Sequence, residues 1–437
     1  MKDLLFSILI KRSSPLLLLI LLIYSCNPAA DKAAIPDITI EKFCLSEPPL
    51  IGLYDGIQIY EGGFSGMHYI AGSDNEFFLL NDRGPNIVIT DHPNNLDGVN
   101  LKLFPFPDYS PKIMRVALRD GKVEVLEIME ITNPEGRGLT GLPLPGLGGE
   151  SPEFAWSDLT GTDAGTDEWG IDAEAIVQDS DGNFWITDEY RTAIFKLNAQ
   201  AQVQKVYSPI AIPDDVVPID SVFAKRRPNR GFESIAYTPS GKIYAIPQSP
   251  LWNPGKKVRD ESRIIRMLEL DPESGTTRTF AYVMRDQKGD IRLRNWKIGD
   301  MTAINNHQFL FIDHASRRDD QYFDIYLVDI SEATPIADDE FNGKTLEQLK
   351  DREGLRKAGI VPARKKHLVN LLDFGYDPSH DKPEGITIID STTIALINDN
   401  DYAIEINPEN WELYDTKIES CIYIIRLPES LKLDWKR

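Results

Sequence analysis

Histidine and cysteine are scarce, with six and three copies in 437 residues, and neither is arranged for the chemistry it most often performs. No H-E-x-x-H, paired C-x-x-C or phosphate-cradling P-loop occurs, which removes zincin, dithiol-redox and P-loop nucleotidase readings. The nearest approach to a G-x-S-x-G elbow, Gly63-Phe64-Ser65-Gly66-Met67, lacks its final glycine, so a serine hydrolase of that kind is excluded. Positive charge is also in deficit: 47 Lys and Arg against 68 Asp and Glu leave a formal charge of −21. Such a surface disfavours nucleic acid as a partner and is compatible with divalent cations.

The N-terminal apolar run from Leu16 to Ile23, preceded by Lys2, Lys11 and Arg12, is shorter than the about 20 residues of a membrane span. It ends in Ile23-Tyr24-Ser25-Cys26, which resembles a bacterial lipobox. Residues 1–25 are expected to be a signal peptide, Cys26 the lipidated residue and 26–37 a tether, with an ordinary secretory signal as the alternative. The mature chain is then expected in the cell envelope, held to the membrane by its anchor and otherwise monomeric. The remaining cysteines, Cys44 and Cys421, sit in strand-like runs at opposite ends of the mature chain. A ring closed by its first strand would bring these runs together, and an oxidising envelope permits a disulfide between them. Two buried, unpaired thiols are the alternative.

What the chain does contain is repetition. Five stretches each read as a small or acidic residue, a short apolar run, a turn, a second apolar run and a cluster of acids and amides. They run from Ser65 to Gly84, Asp172 to Arg191, Gly231 to Pro250, Ile298 to His314 and Pro383 to Asp401. From Glu174 to Asp188, Glu233 to Pro247 and Glu384 to Asn398 the step is 14 residues, and from Asp300 to Asp313 it is 13. Each step fits one antiparallel hairpin. Further apolar segments after each hairpin predict an all-β fold of four-stranded propeller blades, five clear and a sixth conceivable near Lys112 to Ile131. Ile38 to Leu45 would supply the strand that the last unit lacks. Residues 132–170, rich in Gly and Pro, are expected to form a long loop. Residues 344–358 carry helical spacing at Leu346, Leu349 and Leu355 with Thr345 as a candidate cap.

If the hairpins stand around an axis, their polar ends converge on one mouth. Glu174, Glu233, Asp300 and Glu384 would open innermost strands there, joined by Asp82 and Asp399. So many carboxylates at one opening call for neutralisation, and hard oxygen donors point to Ca²⁺, which takes 6 to 8 of them. Arg83, Arg191 and Arg230 lie close in sequence to these acids and would orient an anionic phosphoester by their guanidinium forks. The cation would activate water, with Glu189 as base beside Asp188. For any single position the competing explanation is an ordinary turn former.

The combination Asn81-Asp82-Arg83-Gly84, Asp172-Ala173-Glu174 with Thr187-Asp188-Glu189, Asn229-Arg230-Gly231-Phe232-Glu233, Gln248-Ser249-Pro250-Leu251, and Lys382-Pro383-Glu384-Gly385 with Asn398-Asp399-Asn400-Asp401 resembles the bacterial family called esterase-like activity of phytase, or phytase-like domain. The resemblance covers about Ile51 to Leu427. It implies that 38–437 form a secreted or lipid-anchored β-propeller whose recurrent acids make the active face, acting as a phytase or esterase on a small-molecule ester. Where family members often carry Glu before Ser-Pro-Leu this chain has Gln248, and where many have Glu-Arg it has Asp313-His314. A phosphoester hydrolase is the expectation; a calcium-dependent lactonase or carboxylesterase and a non-enzymatic envelope module are the alternatives.

Overall fold

The computed structural model describes residues 38–90, 92, 100–146, 153–285, 289, 291–317 and 320–434. The expected signal peptide, Cys26 and the tether lie outside them. The described chain is built almost wholly of strands, and its one α-helix is Arg352–Lys357. Among the described residues no helix is long and apolar enough to cross a membrane.

Five sheets carry the architecture. The first comprises Phe64–Tyr69, Glu76–Asn81, Lys112–Arg119 and Lys122–Glu130. In the second, Ala173–Gln178, Phe184–Asp188, Ala193–Leu197 and Val203–Ser208 run antiparallel, and the short Val217–Pro218 adds a parallel edge. The third holds Phe232–Tyr237, Ile243–Pro247, Ile264–Leu270 and Thr277–Val283. Lys297–Ala303, Gln308–Arg317, Asp320–Asp329 and Arg364–Asn370 form the fourth. The fifth contains Pro383–Asp390, Thr393–Asn398 and Cys421–Arg426, with Thr39–Cys44 as its outermost strand.

Local chemistry explains the hairpins. In the second sheet, Asp179 Oδ1 accepts from the amides of Asp181 and Asn183 at 3.0 and 2.9 Å, and Gly182 supplies the positive φ of +83°. That is the self-bonded Asx turn the sequence Asp-Ser-Asp-Gly-Asn favours. Both flanking strands are buried because they are covered on two faces. Along the edge strand Lys122–Glu130 the exposed positions are Lys122, Glu124, Glu127 and Glu130 together with Ile128, and the charges blunt an open edge.

Each sheet's first strand neighbours the first strand of the next sheet, and the fifth returns to the first. Five apolar clusters match these five junctions: one sheet's Phe78, Leu80 and Ile113 meet Ile176, Phe184 and Ile186 of the next, and so on around to Met67 and Leu79 against Ala395 and Ile397. The innermost strands crowd together at one level. A Cβ on Gly66 would fall 2.9 Å from the Ile176 amide nitrogen, and one on Gly385 2.7 Å from that of Met67. Small residues are required there because backbone meets backbone.

Cys44 pairs with Cys421 in register and is joined to it by a disulfide across 377 residues. No sixth sheet of this kind occurs among the described residues. The segment expected to conceal one, Lys112 to Ile131, completes the first sheet instead. Two strands inserted between Asn81 and Lys112, Ile87–Ile89 and Asn100–Leu103, form a separate small sheet with Glu153–Trp156, so the Gly/Pro-rich insert contributes a strand as well as loop. The helix cap is Asp351, whose carboxylate accepts from Gly354 N at 2.9 Å. Thr345 instead donates its hydroxyl to Asn253 O.

Candidate active site

The bulges in the inner strands set which side chains look into the mouth. Ala173 pairs with Asp188, Phe232 with Pro247, Ile298 with Asp313, Pro383 with Asn398 and Phe64 with Asn81. The next residue along the inner strand is therefore equivalent in all five sheets: Ser65, Glu174, Glu233, Gly299 and Glu384. The residue that follows the paired one on the second-strand side is equivalent too: Asp82, Glu189, Gln248, His314 and Asp399. Of these ten, all but Gly299 and His314 line a cavity of ≈ 390 Å³.

This register corrects one expected ligand. Asp300 is one position beyond the equivalent of Glu174, as its 13-residue step signalled, and it is absent from the cavity wall. Its Oδ2 accepts from Ile386 N at 2.9 Å, locking the inner strand of the fourth sheet to that of the fifth. Asp188 and Arg191 are also displaced from the roles expected of them. They pair with each other at 2.6 Å with no exposure. Asp188 accepts from the amides of Asp172, Tyr190 and Arg191, while Arg191 donates to Ile212 O and Glu168 O. Every group is consumed in holding the turn. Arg230 donates to Trp296 O at 3.2 Å and does not line the cavity. Asp313 turns outward to Tyr282 and Lys365.

Nine carboxylates and four cationic side chains line the mouth. Arg83 is buried and committed: it donates to Glu153 and Tyr190 at 2.9 Å, to Asn229 at 2.5 Å, and to Asp172. Lys382 reaches Asp399 at 2.8 Å and Asp401 at 2.5 Å. Lys102 donates to Asn229 at 3.0 Å, and burial, with Arg83 close by, lowers its ammonium to about 8.

Opposite these pairs stand acids with oxygens unbonded among the described residues: one on Asp172, both on Glu189 and one on Glu233. Asp172, Glu174 and Glu189 offer oxygens that all lie within 4.8 Å of one another. Neither oxygen of Glu189, a residue only 1% exposed, accepts a hydrogen bond among the described residues; Arg83 Nη2 stands 3.7 Å away. Burial raises Glu189 above the ordinary carboxylate range against the pull of Arg83. Glu174 is pushed well up by burial and by Glu233 and Glu189. Glu233 is likewise raised by burial and by Glu189 and Glu384, while Gln248 Nε2 donates to its Oε1 at 2.6 Å and leaves Oε2 unbonded. Burial and Asp399 lift Glu384 to about 8 and Asp82 to about 7.

The donor set fits a hard cation. Three buried carboxylates within reach of one point, one with both oxygens unbonded, supply oxygen ligands only, the preference of Ca²⁺. Asp172 was not expected as a ligand. Its position two residues before Glu174 at a strand start, on the same face, was the available signal.

A curated relative from Arthroderma benhamiae, described as an uncharacterized secreted protein, is 27% identical over 191 residues. The match spans 37% of this chain and 37% of that relative. Among solved structures, a calcium-binding regucalcin from Agrobacterium tumefaciens is 8% identical with a TM-score of 0.33, covering 85% of this chain and 92% of that one. The PQQ-bound aldose sugar dehydrogenase of Streptomyces coelicolor is 8% identical with a TM-score of 0.37, covering 89% and 99%. Residues 59–402, which carry every lining acid from Asp82 to Asp401, match the family model described as phytase-like, esterase-like activity of phytase. The chain belongs to that phytase-like family.

Proposed function

We propose that this chain is a calcium-dependent hydrolase of phosphoesters, built on a five-bladed β-propeller closed by Thr39–Cys44 and tethered to the cell envelope through Cys26. Its substrate is a small-molecule ester, not nucleic acid, and the chain acts as a monomer. The observation that carries the reading is the buried trio Asp172, Glu174 and Glu189, with Glu189 unbonded at both oxygens. Such a cluster is costly unless something positive occupies it. These three residues would hold the Ca²⁺, which when bound neutralises charge on a phosphoryl oxygen. Asp82, Glu384 and Asp399 line the same cavity and deepen its negative field.

Arg83, fixed by Glu153, Tyr190, Asn229 and Asp172, keeps the trio in place. The base role expected of Glu189 passes to Glu233. Gln248 fixes one of its oxygens and leaves Oε2 free to take a proton from the attacking water, and burial with Glu189 and Glu384 nearby raises the affinity of this carboxylate for a proton. Gln248 is thus an orienting amide in place of a further charge.

Glu233→Gln is expected to lower kcat on 4-nitrophenyl phosphate by roughly 10²–10⁴-fold while the melting shift produced by calcium persists. Unchanged turnover would overturn the assignment. The family description, esterase-like activity, favours a second reading in which the same mouth cleaves a lactone or carboxylic ester. Turnover of those esters but not of phosphates, at matched calcium, would select it.

A further inference from the structure

The fourth sheet is the odd member of the ring. Gly299 and His314 occupy the positions at which the second, third and fifth sheets place Glu174, Glu233 and Glu384 and, after them, Glu189, Gln248 and Asp399. A Cβ at Gly299 would lie 2.6 Å from Pro383 O, so no side chain fits there without backbone movement. Two residues earlier on the same strand, hence on the same face, Lys297 lines the cavity in the gap so left. Arg83, Lys102 and Lys382 are bound to acids or amides of the wall. Lys297 is the exception: its ammonium has no ion-pair or hydrogen-bond partner among the described residues.

A second feature comes from outside the repeats. Strands Ile87–Ile89 and Ile404–Ile406 touch each other, and their Val88 and Ile406 side chains reach the cavity. Val88 is 51% exposed, while Ile87 and Ile404 beneath are buried against Ile59, Leu103 and Tyr402. The mouth is therefore a charged floor with one firmly backed wall that is apolar at Val88, Ile404 and Ile406 and carries the carboxylate of Glu405.

We infer that the ester accepted here joins a single phosphate, taken by Lys297, to an apolar alcohol portion seated on Val88 and Ile406. This rests on the calcium-hydrolase reading above and narrows its substrate class. One ammonium without a bonded partner, its charge opposed by burial, Arg230 and Lys382 and favoured by Glu384 and Glu233, matches one anionic group. A polar polyol portion would leave the apolar side chains wet.

Calorimetric titration of the calcium-loaded protein with methyl-, butyl- and octylphosphonate, and with inositol 1-phosphate, tests this. Affinity should rise roughly threefold per methylene until the wall is covered, and inositol 1-phosphate should bind more weakly than octylphosphonate. Lys297→Met should weaken every alkylphosphonate by roughly tenfold or more without changing the chain-length slope, and Lys297→Arg should restore most of the loss. Val88→Ser, at an exposed position, should flatten the slope. Retention of the calcium-induced melting shift certifies that each variant is folded. Equal affinity for methyl- and octylphosphonate, or a folded Lys297→Met that binds as the native protein does, overturns the inference. Chain-length-dependent binding without turnover of any ester would sink the hydrolase reading and leave this site standing; phosphoester turnover without chain-length dependence would do the reverse.

Discussion

Glu189→Gln separates a cation site from a merely acidic wall, because the two give opposite balances of stability. The oxygens of Asp172, Glu174 and Glu189 lie within 4.8 Å. At an effective dielectric constant of about 20, two full charges at that separation repel by about 3.5 kcal/mol. Burial adds to the cost of ionising Glu189, and Arg83 offsets part of it. Its raised carboxyl means that the charged form is disfavoured in the folded state, so a neutral isostere should leave the cation-free protein no less stable. Calcium at a hundred times its dissociation constant stabilises the native protein by about 2.7 kcal/mol, roughly 3 °C for a body of this size. Losing a ligand should weaken calcium by about ten- to a hundredfold, the loss caused even by removing an outer hydrogen-bond partner. At the same calcium concentration the gain then falls to about 1.4 kcal/mol or less. Differential scanning calorimetry in EGTA and in calcium reads both quantities. A variant that keeps the full calcium shift, or that melts below the native protein in EGTA, would refute the reasoning.

Two further outcomes are expected. In EGTA, stability should fall as pH rises from about 4.5 to 8: Glu384 and Asp82 are lifted to about 8 and about 7 in the folded state, so over that window the unfolded chain, with ordinary carboxyls, holds fewer protons. Melting temperature followed against pH checks this; saturating calcium should flatten the decline, and a rise across the window would contradict it. Replacing Cys44 and Cys421 together by serine should cost about 2–5 kcal/mol, read as a lower urea midpoint, because the disulfide secures the outermost strand of the fifth sheet to its neighbour. An unchanged midpoint would show that the pairing of Thr39–Cys44 with Cys421–Arg426 is held without it.

The hairpins were legible from the chain because their causes are local. Asp179-Ser180-Asp181-Gly182-Asn183 carries its turn within five residues, and alternating apolar runs announce strands wherever they are placed. Mouth acids were legible in part: Glu174, Glu233, Glu384, Asp82, Asp399 and Glu189 recur at the same points of the repeat, and all line one cavity. The shift of Asp300 was harder to see, since a step of 13 instead of 14 marks a change of register that only the bulge between Ile298 and Met301 makes visible.

What the sequence determined by itself was the strand-and-turn repeat, the acidic balance and the family pattern, for each depends on residues near one another in the chain. Only the tertiary structure decided which charges are spent and which are available. Arg83 meets Asp172 across 89 positions, Arg191 closes on Asp188 beneath the turn, and the Lys297 ammonium has no hydrogen-bond or ion-pair partner among the described residues. Ion pairing in a buried mouth depends on distances of a few ångströms between side chains from separate sheets, and no local spacing encodes those distances.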